Sequence, residues 1–161
     1  MSQPAPIAVL YDYILALHVM AVVVGFGVTF AYPIIFAVGA KRDPRSLPVL
    51  HRIEYTVERL LVNPGLLVVL AAGAYLAGKG HHWSEFFVQW GLGAAVVIGA
   101  VVGAVMIPTA KKAEQLAERD LAAEGGEMSA EYQAAVKRLT TFGTLLSLLV
   151  LVTILFMAVK P

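Results

Sequence analysis

The sequence predicts an all-α membrane protein, in which one domain (residues 1–161) forms an antiparallel bundle of four transmembrane helices. The first observation is composition: 59% of the 161 residues are apolar, 14% are charged, and the mean hydropathy is +0.77. A water-soluble core of this size cannot hide so much apolar surface. The second is four apolar runs without Lys or Arg, over Tyr11–Val38, Leu60–Ala77, Phe86–Ile107 and Phe142–Val159. About 20 such residues cross a bilayer as a helix.

The distribution of basic residues predicts the orientation of these helices. Ten of the twelve Lys and Arg residues lie in residues 41–59 and 111–138, and only Lys79 and Lys160 lie elsewhere. Basic flanks stay on the cytoplasmic side. We therefore expect both segments inside and both termini outside (N-out/C-out), in a multi-pass protein of the bacterial cytoplasmic (inner) membrane. No cleavable signal peptide is expected, because residues 1–11 contain no basic residue and the first apolar run is too long.

The first helix is expected over residues 11–38. Asp12 lies near its N-terminal end, where the helix dipole favours an anion. Pro33 is expected to kink the helix, because proline removes a backbone hydrogen bond. The polar segment 39–48 then ends it.

The second helix is expected over residues 49–77, with its first turns in water or lipid headgroups. These turns carry an inner polar cluster made of Arg52, Glu54, Glu58, Arg59 and Asn63. We expect the cluster to be an interfacial belt that pairs with Lys137 or Arg138 of the fourth helix, in preference to a catalytic site. Pro64 should bend the helix locally.

The third helix is expected over residues 84–124, and residues 109–124 form a polar extension beyond the membrane. This extension is either a solvated helix or a docking surface for a partner. Within the membrane, a stripe of small residues at a spacing of four would let another helix approach closely, in the same chain or in a homodimer. The stripe consists of Gly91, Ala95, Gly99 and Gly103. The fourth helix is expected over residues 129–159, with Ser129 as its N-cap.

His18 is the ionisable residue that lies well inside a predicted span, about 10 Å below the outer end of the first helix at 1.5 Å per residue. Neutral imidazole is a good ligand for iron, so one interpretation is that His18 binds haem b. The other is a buried hydrogen bond to Tyr11, Thr144 or Ser147. Gly25 lies on the same helix face as His18. Since no second histidine lies at this depth, a haem would be five-coordinate, use a non-histidine sixth ligand, or be shared across a dimer.

His81 and His82 give a weak signal for a metal, because adjacent residues in a turn usually point apart. Together with His18, Asp12 and Glu85 they would suit copper or zinc. The alternative is an exposed polar turn. Cysteine is absent, which excludes disulfides and thiolate metal sites. No nucleotide-binding loop or metalloprotease helix is present, and nothing supports nucleic-acid binding.

The first helix also carries a family resemblance. The stretch from Tyr11 to Val19 (YDYILALHV), with Gly25 and a short basic loop after it, resembles the first helix of small bacterial four-helix membrane proteins of unknown function. The resemblance covers nearly the whole chain, including Pro64-Gly65 and the polar continuation after Pro108. It implies an integral membrane protein with four helices.

A more distant similarity links the chain to the HemJ-type protoporphyrinogen oxidases. It rests on the histidine of the first helix and on Glu58, Arg59 and Pro64 in the second. This similarity implies haem b at His18 and an oxidase activity. The HemJ pattern also has a lysine in its third helix, whereas residues 84–107 contain none and offer Glu85 and Gln89.

These features favour a non-enzymatic membrane subunit or accessory protein that holds haem b through His18 and works with a membrane-protein partner or a second copy. The alternative is a haem-dependent membrane oxidoreductase that acts on a porphyrin or quinone. A small-solute transporter is disfavoured, because no paired charges line a pathway and no inverted repeat is evident.

Overall fold

The protein is an all-α membrane protein, as predicted. The structure, a computed structural model, describes residues 6–123 and 126–160. Over these ranges it has no strand, and four helices are long and apolar enough to cross a membrane. We number them α1 to α4 in chain order.

α1 consists of an α-helix over Pro6–Phe26, a 3-10 helix over Gly27–Ala31 and an α-helix over Tyr32–Arg42. The change of helix type lies just before Pro33, where a kink was predicted. Pro33 has no N–H to bond the carbonyl four residues earlier. The hydroxyl of Thr29 donates to the carbonyl oxygen of Phe26 over 2.7 Å in the same turn.

α2 begins with a 3-10 turn over Pro44–Ser46 and continues as an α-helix over Leu47–Val57, a π-helix over Glu58–Val62 and an α-helix over Asn63–Gly80. α3 has the same plan, with α-helices over Phe86–Val101 and Ile107–Ala122 around a π-helix over Val102–Met106.

Each π-helix ends two residues before a proline, Pro64 in α2 and Pro108 in α3. Proline cannot donate to the carbonyl four residues earlier, and that carbonyl lies within the π-helix in both cases. The predicted bend at Pro64 therefore takes the form of a wider turn.

α4 is a continuous α-helix over Ala130–Val159. Ser129 is its N-cap, as predicted: the Ser129 side chain accepts a hydrogen bond from the backbone N–H of Tyr132 over 3.3 Å. Residues 124 and 125, where the predicted end of the third helix falls, lie outside the described residues.

The helices pack in chain order, α1 on α2, α2 on α3 and α3 on α4. We call the bundle end that carries the connections 39–48 and 123–129 the polar end, and the opposite end, with the turn 81–85, the loop end. Contact between α1 and α4 is concentrated at Gly27–Ala31. The two helices therefore leave a gap between them towards the loop end.

Two separate cores lie along the bundle. The core of the membrane half is built from Phe26, Val62, Leu66, Ala95, Ile98, Val102 and Val150. The core of the polar end is built from Leu47, Met106, Ala110, Ala113, Leu116, Ala117, Tyr132, Ala135 and Leu139. The π-helices of α2 and α3 lie at the boundary between the two cores.

One face of the polar extension of α3 is buried within the protein. The extension is therefore neither fully solvated nor open to a partner on all sides. Ala110, Ala113 and Ala117 are each 0% exposed, and they lie on one helix face that packs against α2 and α4. Small side chains at this face let the helices come close. One face of the extension is therefore the centre of a small bundle at the polar end.

Candidate functional site

His18 is held by the backbone of α2. Its Nδ1 atom lies 3.0 Å from the carbonyl oxygen of Val69. A carbonyl oxygen only accepts, so Nδ1 carries the proton and Nε2 keeps its lone pair. This is the tautomer that histidine ligands adopt when a carbonyl oxygen fixes the far nitrogen of the ring. The structure gives Nε2 no hydrogen-bond partner among the described residues.

Gly73 makes the room that the imidazole occupies. A Cβ atom built on Gly73 would lie 3.3 Å from Cε1 of His18 and 3.6 Å from its Nδ1. Gly65, Val69 and Gly73 follow one another at intervals of four along α2, so they share the face that α1 covers. This face therefore positions the His18 ring in two ways: the Val69 carbonyl oxygen accepts from Nδ1, and the absence of a side chain at Gly73 leaves room for the ring.

A cavity of about 440 Å³ adjoins His18 in the loop-end half of the bundle. Its walls are almost wholly apolar and come from all four helices, with Val22, Leu70, Ala95 and Ile154 among them. It is partly open. A volume of this size is in the range of small-molecule sites, which are typically 300–1,000 Å³.

The polar groups of the cavity are few and lie mostly near its loop end. Lys160, His82 and Trp83 contribute to the lining there, together with the sulfur-bearing Met157. The Lys160 ammonium lies 5.7 Å from the centre of the Phe87 ring. Deeper in the wall, Nε1 of Trp90 donates to the Thr153 hydroxyl over 3.1 Å.

Of the residues predicted to accompany His18, the structure brings Tyr11 to the cavity and leaves the others elsewhere. Gly25 packs against Gly65 of α2. Thr144 is exposed, and neither it nor Ser147 lines the cavity. The hydrogen-bond partner of His18 is therefore the Val69 carbonyl, in place of the expected Tyr11, Thr144 or Ser147. A backbone carbonyl on α2 carries no side-chain signature, so the sequence could not reveal it.

His81 and His82 differ in their surroundings. His81 is exposed and caps α2 in the left-handed conformation, with φ of 56°. The His82 ring lies 5.9 Å from the ring of Phe87 and borders the cavity. Among the described residues no group of three or more His, Cys, Asp or Glu side chains is arranged to hold a metal. A metal at this turn stays a prediction without geometric support.

The inner polar cluster is buried at its centre, in contrast to the expected belt in water or headgroups. Two of its members, Glu54 and Glu58, are 4% and 3% exposed, and the adjacent His51 is 1% exposed. Nδ1 of His51 lies 3.1 Å from the Glu54 carboxylate, and Nε2 lies 3.1 Å from the Tyr132 hydroxyl of α4. The Phe36 ring packs on the His51 ring, with 4.7 Å between the two ring centroids. The close packing of the alanine face of α3 against α2 removes this part of the cluster from water.

The basic residues of this region have other partners than expected. Arg52 pairs with Glu114 and Glu118 of α3. The guanidinium of Arg138 lies over the Phe142 ring, and no ion pair of Lys137 or Arg138 is found over the described ranges. Arg59 is exposed and Asn63 is half-buried. The expected pairing of α2 with α4 is thus replaced by ion pairs between α2 and α3.

The small-residue stripe of α3 is used mainly within the chain. A Cβ atom on Gly91 would meet Met157 of α4, and one on Gly99 would come within 2.9 Å of Leu66 of α2. Ala95 is 5% exposed, while nothing lies within 4 Å of a Cβ atom on Gly103. A homodimer through this stripe stays a prediction.

Comparison with known proteins gives one finding. The family model described as "Predicted integral membrane protein (DUF2269)" matches residues 12–161. No curated protein and no solved structure matches the chain.

Proposed function

The chain belongs to the DUF2269 family of predicted integral membrane proteins, and we propose that it is a small multi-pass membrane protein that binds haem b through His18. The observation that carries this proposal is the bond from Nδ1 of His18 to the Val69 carbonyl. It leaves Nε2 as a lone-pair donor on a residue that lines an apolar cavity, and a haem iron requires such a lone pair of a histidine ligand.

The residues around the cavity suit such a group. Haem is flat and mostly apolar, and the cavity offers about 440 Å³ with apolar walls from four helices. Gly73 keeps the space beside the imidazole open. Met157 lines the cavity and would offer a thioether as a further ligand. Lys160 offers a cation for a propionate at the loop end. Bound haem b would supply one-electron transfer.

The absorption spectrum of the purified protein tests this proposal. Protein from haem-replete cells should show a Soret band that His18→Ala removes and His81→Ala keeps. His81 is the matched control, because it is exposed and outside the cavity. Added imidazole should restore part of the band in His18→Gly, because it can replace the missing ligand. A colourless wild-type protein, or a band that survives in His18→Ala, would end the proposal.

The role we favour is an accessory subunit that holds haem for a partner. A haem-dependent oxidoreductase acting on a quinone or porphyrin is the second candidate, and the partial opening of the apolar cavity favours it. The apolar lining that includes His18 would suit a lipid-soluble substrate. Turnover of a quinol or porphyrinogen by the purified chain would identify the enzyme, and co-purification of a membrane partner without turnover would identify the subunit.

For the location we propose the bacterial cytoplasmic membrane, with the polar end in the cytoplasm. The support is the placement of ten of twelve basic residues in the two segments nearest the polar end. Reporter fusions after residues 43 and 126 should both report a cytoplasmic position. A fusion after residue 82 should report the opposite side.

A further inference from the structure

The polar end contains a second site that haem binding does not use. We propose that the buried cluster around Glu58 is a proton-binding site, in which Glu58 is a neutral carboxylic acid at neutral pH and the neighbouring Glu54 is hydrogen-bonded to His51. The reaction is the reversible addition of one proton to the Glu58 carboxylate. The site is separate from the loop-end cavity, because Glu58 lies at the polar-end start of the π-helix of α2 and none of the site residues lines the cavity.

The first step of the argument is the burial of Glu58. Its side chain is 3% exposed at the start of the π-helix of α2, and its Oε2 atom is buried without any hydrogen-bond partner among the described residues. Burying an ionised carboxylate without a partner costs far more than burying a neutral one. A carboxyl group in this position therefore keeps its proton.

The second step is the charge around Glu58. Glu54 lies one helical turn earlier on α2, Tyr32 faces the pair from α1, and Tyr132 faces it from α4. The nearby charged groups of α3 are committed elsewhere, since Glu114 pairs with Arg52 and the ammonium of Lys111 lies over the Tyr55 ring. None of the ion pairs over residues 6–123 and 126–160 includes Glu58. No cation compensates a second negative charge here.

The third step decides which carboxyl group holds the proton. Glu54 has a donor, because His51 lies 3.1 Å away. A neutral His51 satisfies both of its bonds by donating from Nδ1 to Glu54 and accepting at Nε2 from the Tyr132 hydroxyl. Two carboxylates that share a buried site do not both ionise readily. Glu54 has a hydrogen-bond donor and the buried Oε2 of Glu58 has none, so the proton belongs to Glu58.

Infrared spectroscopy of the intact protein in nanodiscs tests this assignment, because the C=O stretch of a protonated carboxyl group is separate from that of a carboxylate. At pH 7 the wild type should show this stretch, and Glu58→Gln should lose it. Glu127→Gln is the matched control, since Glu127 is exposed, and it should keep the band. As the pH is raised, the midpoint for the loss of this band should lie at least about 2 pH units above the midpoint of an ordinary glutamate.

Glu54→Gln gives a second, independent measurement. It removes the neighbouring charge, so the band should persist while its midpoint moves to lower pH. A folded wild type without the band at pH 7, or a band unchanged in Glu58→Gln, would overturn the proposal. A band that sodium removes and choline does not would overturn it as well, because the site would then hold a metal cation. Circular dichroism of each variant verifies that the helices are intact.

Discussion

Gly25 and Gly65 bring the backbones of α1 and α2 into contact. A Cβ atom on Gly65 would lie 3.2 Å from the Cα atom of Gly25, and one on Gly25 would lie 3.6 Å from the Cα atom of Gly65. In lipid, where no hydrophobic driving force draws helices together, such close approach is a main source of association. The crossing fixes α1 against the face of α2 that also holds His18.

Gly65→Ala should therefore destabilise the protein by about 1–3 kcal/mol, the usual cost of overpacking a tight contact. The added methyl group meets backbone atoms, which cannot rotate away. Gly27→Ala is the control, because nothing lies within 4 Å of a Cβ atom there. Unfolding in detergent, followed by tryptophan fluorescence, measures both variants. Equal stability of the two would contradict a close crossing at Gly65.

Gly73→Val should displace the His18 ring, because its Cβ atom alone comes within 3.3 Å of Cε1. If His18 binds haem, the variant should lose most of its Soret absorbance while it remains folded. Gly93→Val adds the same groups at an exposed position with nothing within 4 Å, and it should keep the absorbance. A full Soret band in Gly73→Val would mean that His18 is not held as described.

Tyr132→Phe should lower the free energy of unfolding by about 1–3 kcal/mol, since it leaves Nε2 of the buried His51 without a partner. Tyr13→Phe removes the same hydroxyl group from a residue that is 71% exposed, and it should have little effect. Thermal unfolding of the two variants in the same detergent makes the comparison. A loss as large in Tyr13→Phe would show that the bond to His51 is not responsible.

The start of α4 should respond to acid through Asp120, which lies beyond the membrane-spanning run of α3. The hydroxyl and backbone N–H of Ser129 and the Arg119 guanidinium hold the pKa of the Asp120 carboxyl below its ordinary value. A lowered folded-state pKa stabilises the protein above the ordinary pKa, and this contribution is lost as pH falls through the folded-state value. Asp120→Asn should therefore flatten the fall in stability below about pH 4.

Ser129→Ala provides a check on the same junction. It removes the N-cap and should cost about 1 kcal/mol at neutral pH. Its stability should be compared with that of the wild type from pH 7 to pH 3 by thermal unfolding. An Asp120→Asn curve parallel to the wild-type curve would show that Asp120 does not supply the acid sensitivity.

The four helices followed from sequence because lipid imposes a simple rule on composition, and the breaks at Pro33 and Pro64 followed from the prolines, whereas the π-helix before Pro108 was not predicted. Runs without Lys or Arg located the spans, and Pro33 and Pro64 marked changes of helix type. The type of break was not predictable, because a helix can accommodate the missing N–H of proline through a kink, a 3-10 turn or a π-turn.

The polar end was harder to predict because its residues have the composition of an interface. Glu54 and Glu58 follow the pattern of a solvated flank, yet they are buried because α3 continues beyond its apolar run and packs against this part of α2. A signal was present in the sequence: Ala110, Ala113 and Ala117 lie on one helical face, as expected of a packed contact. The approach of the Val69 carbonyl to His18 left no comparable signal, because it depends on how α1 crosses α2.

The π-helix of α2 also sets the angular phase between the two halves of that helix. Each residue of an α-helix advances the direction of its side chain by about 100°. The wider turn over Glu58–Val62 accommodates one residue more than an α-helical turn, so winding the same residues as a regular α-helix would rotate everything beyond them by about that angle. Val69 and Gly73 would then point away from His18 while His51 and Glu54 kept their places. The π-helix thus keeps the two ends of the molecule in register.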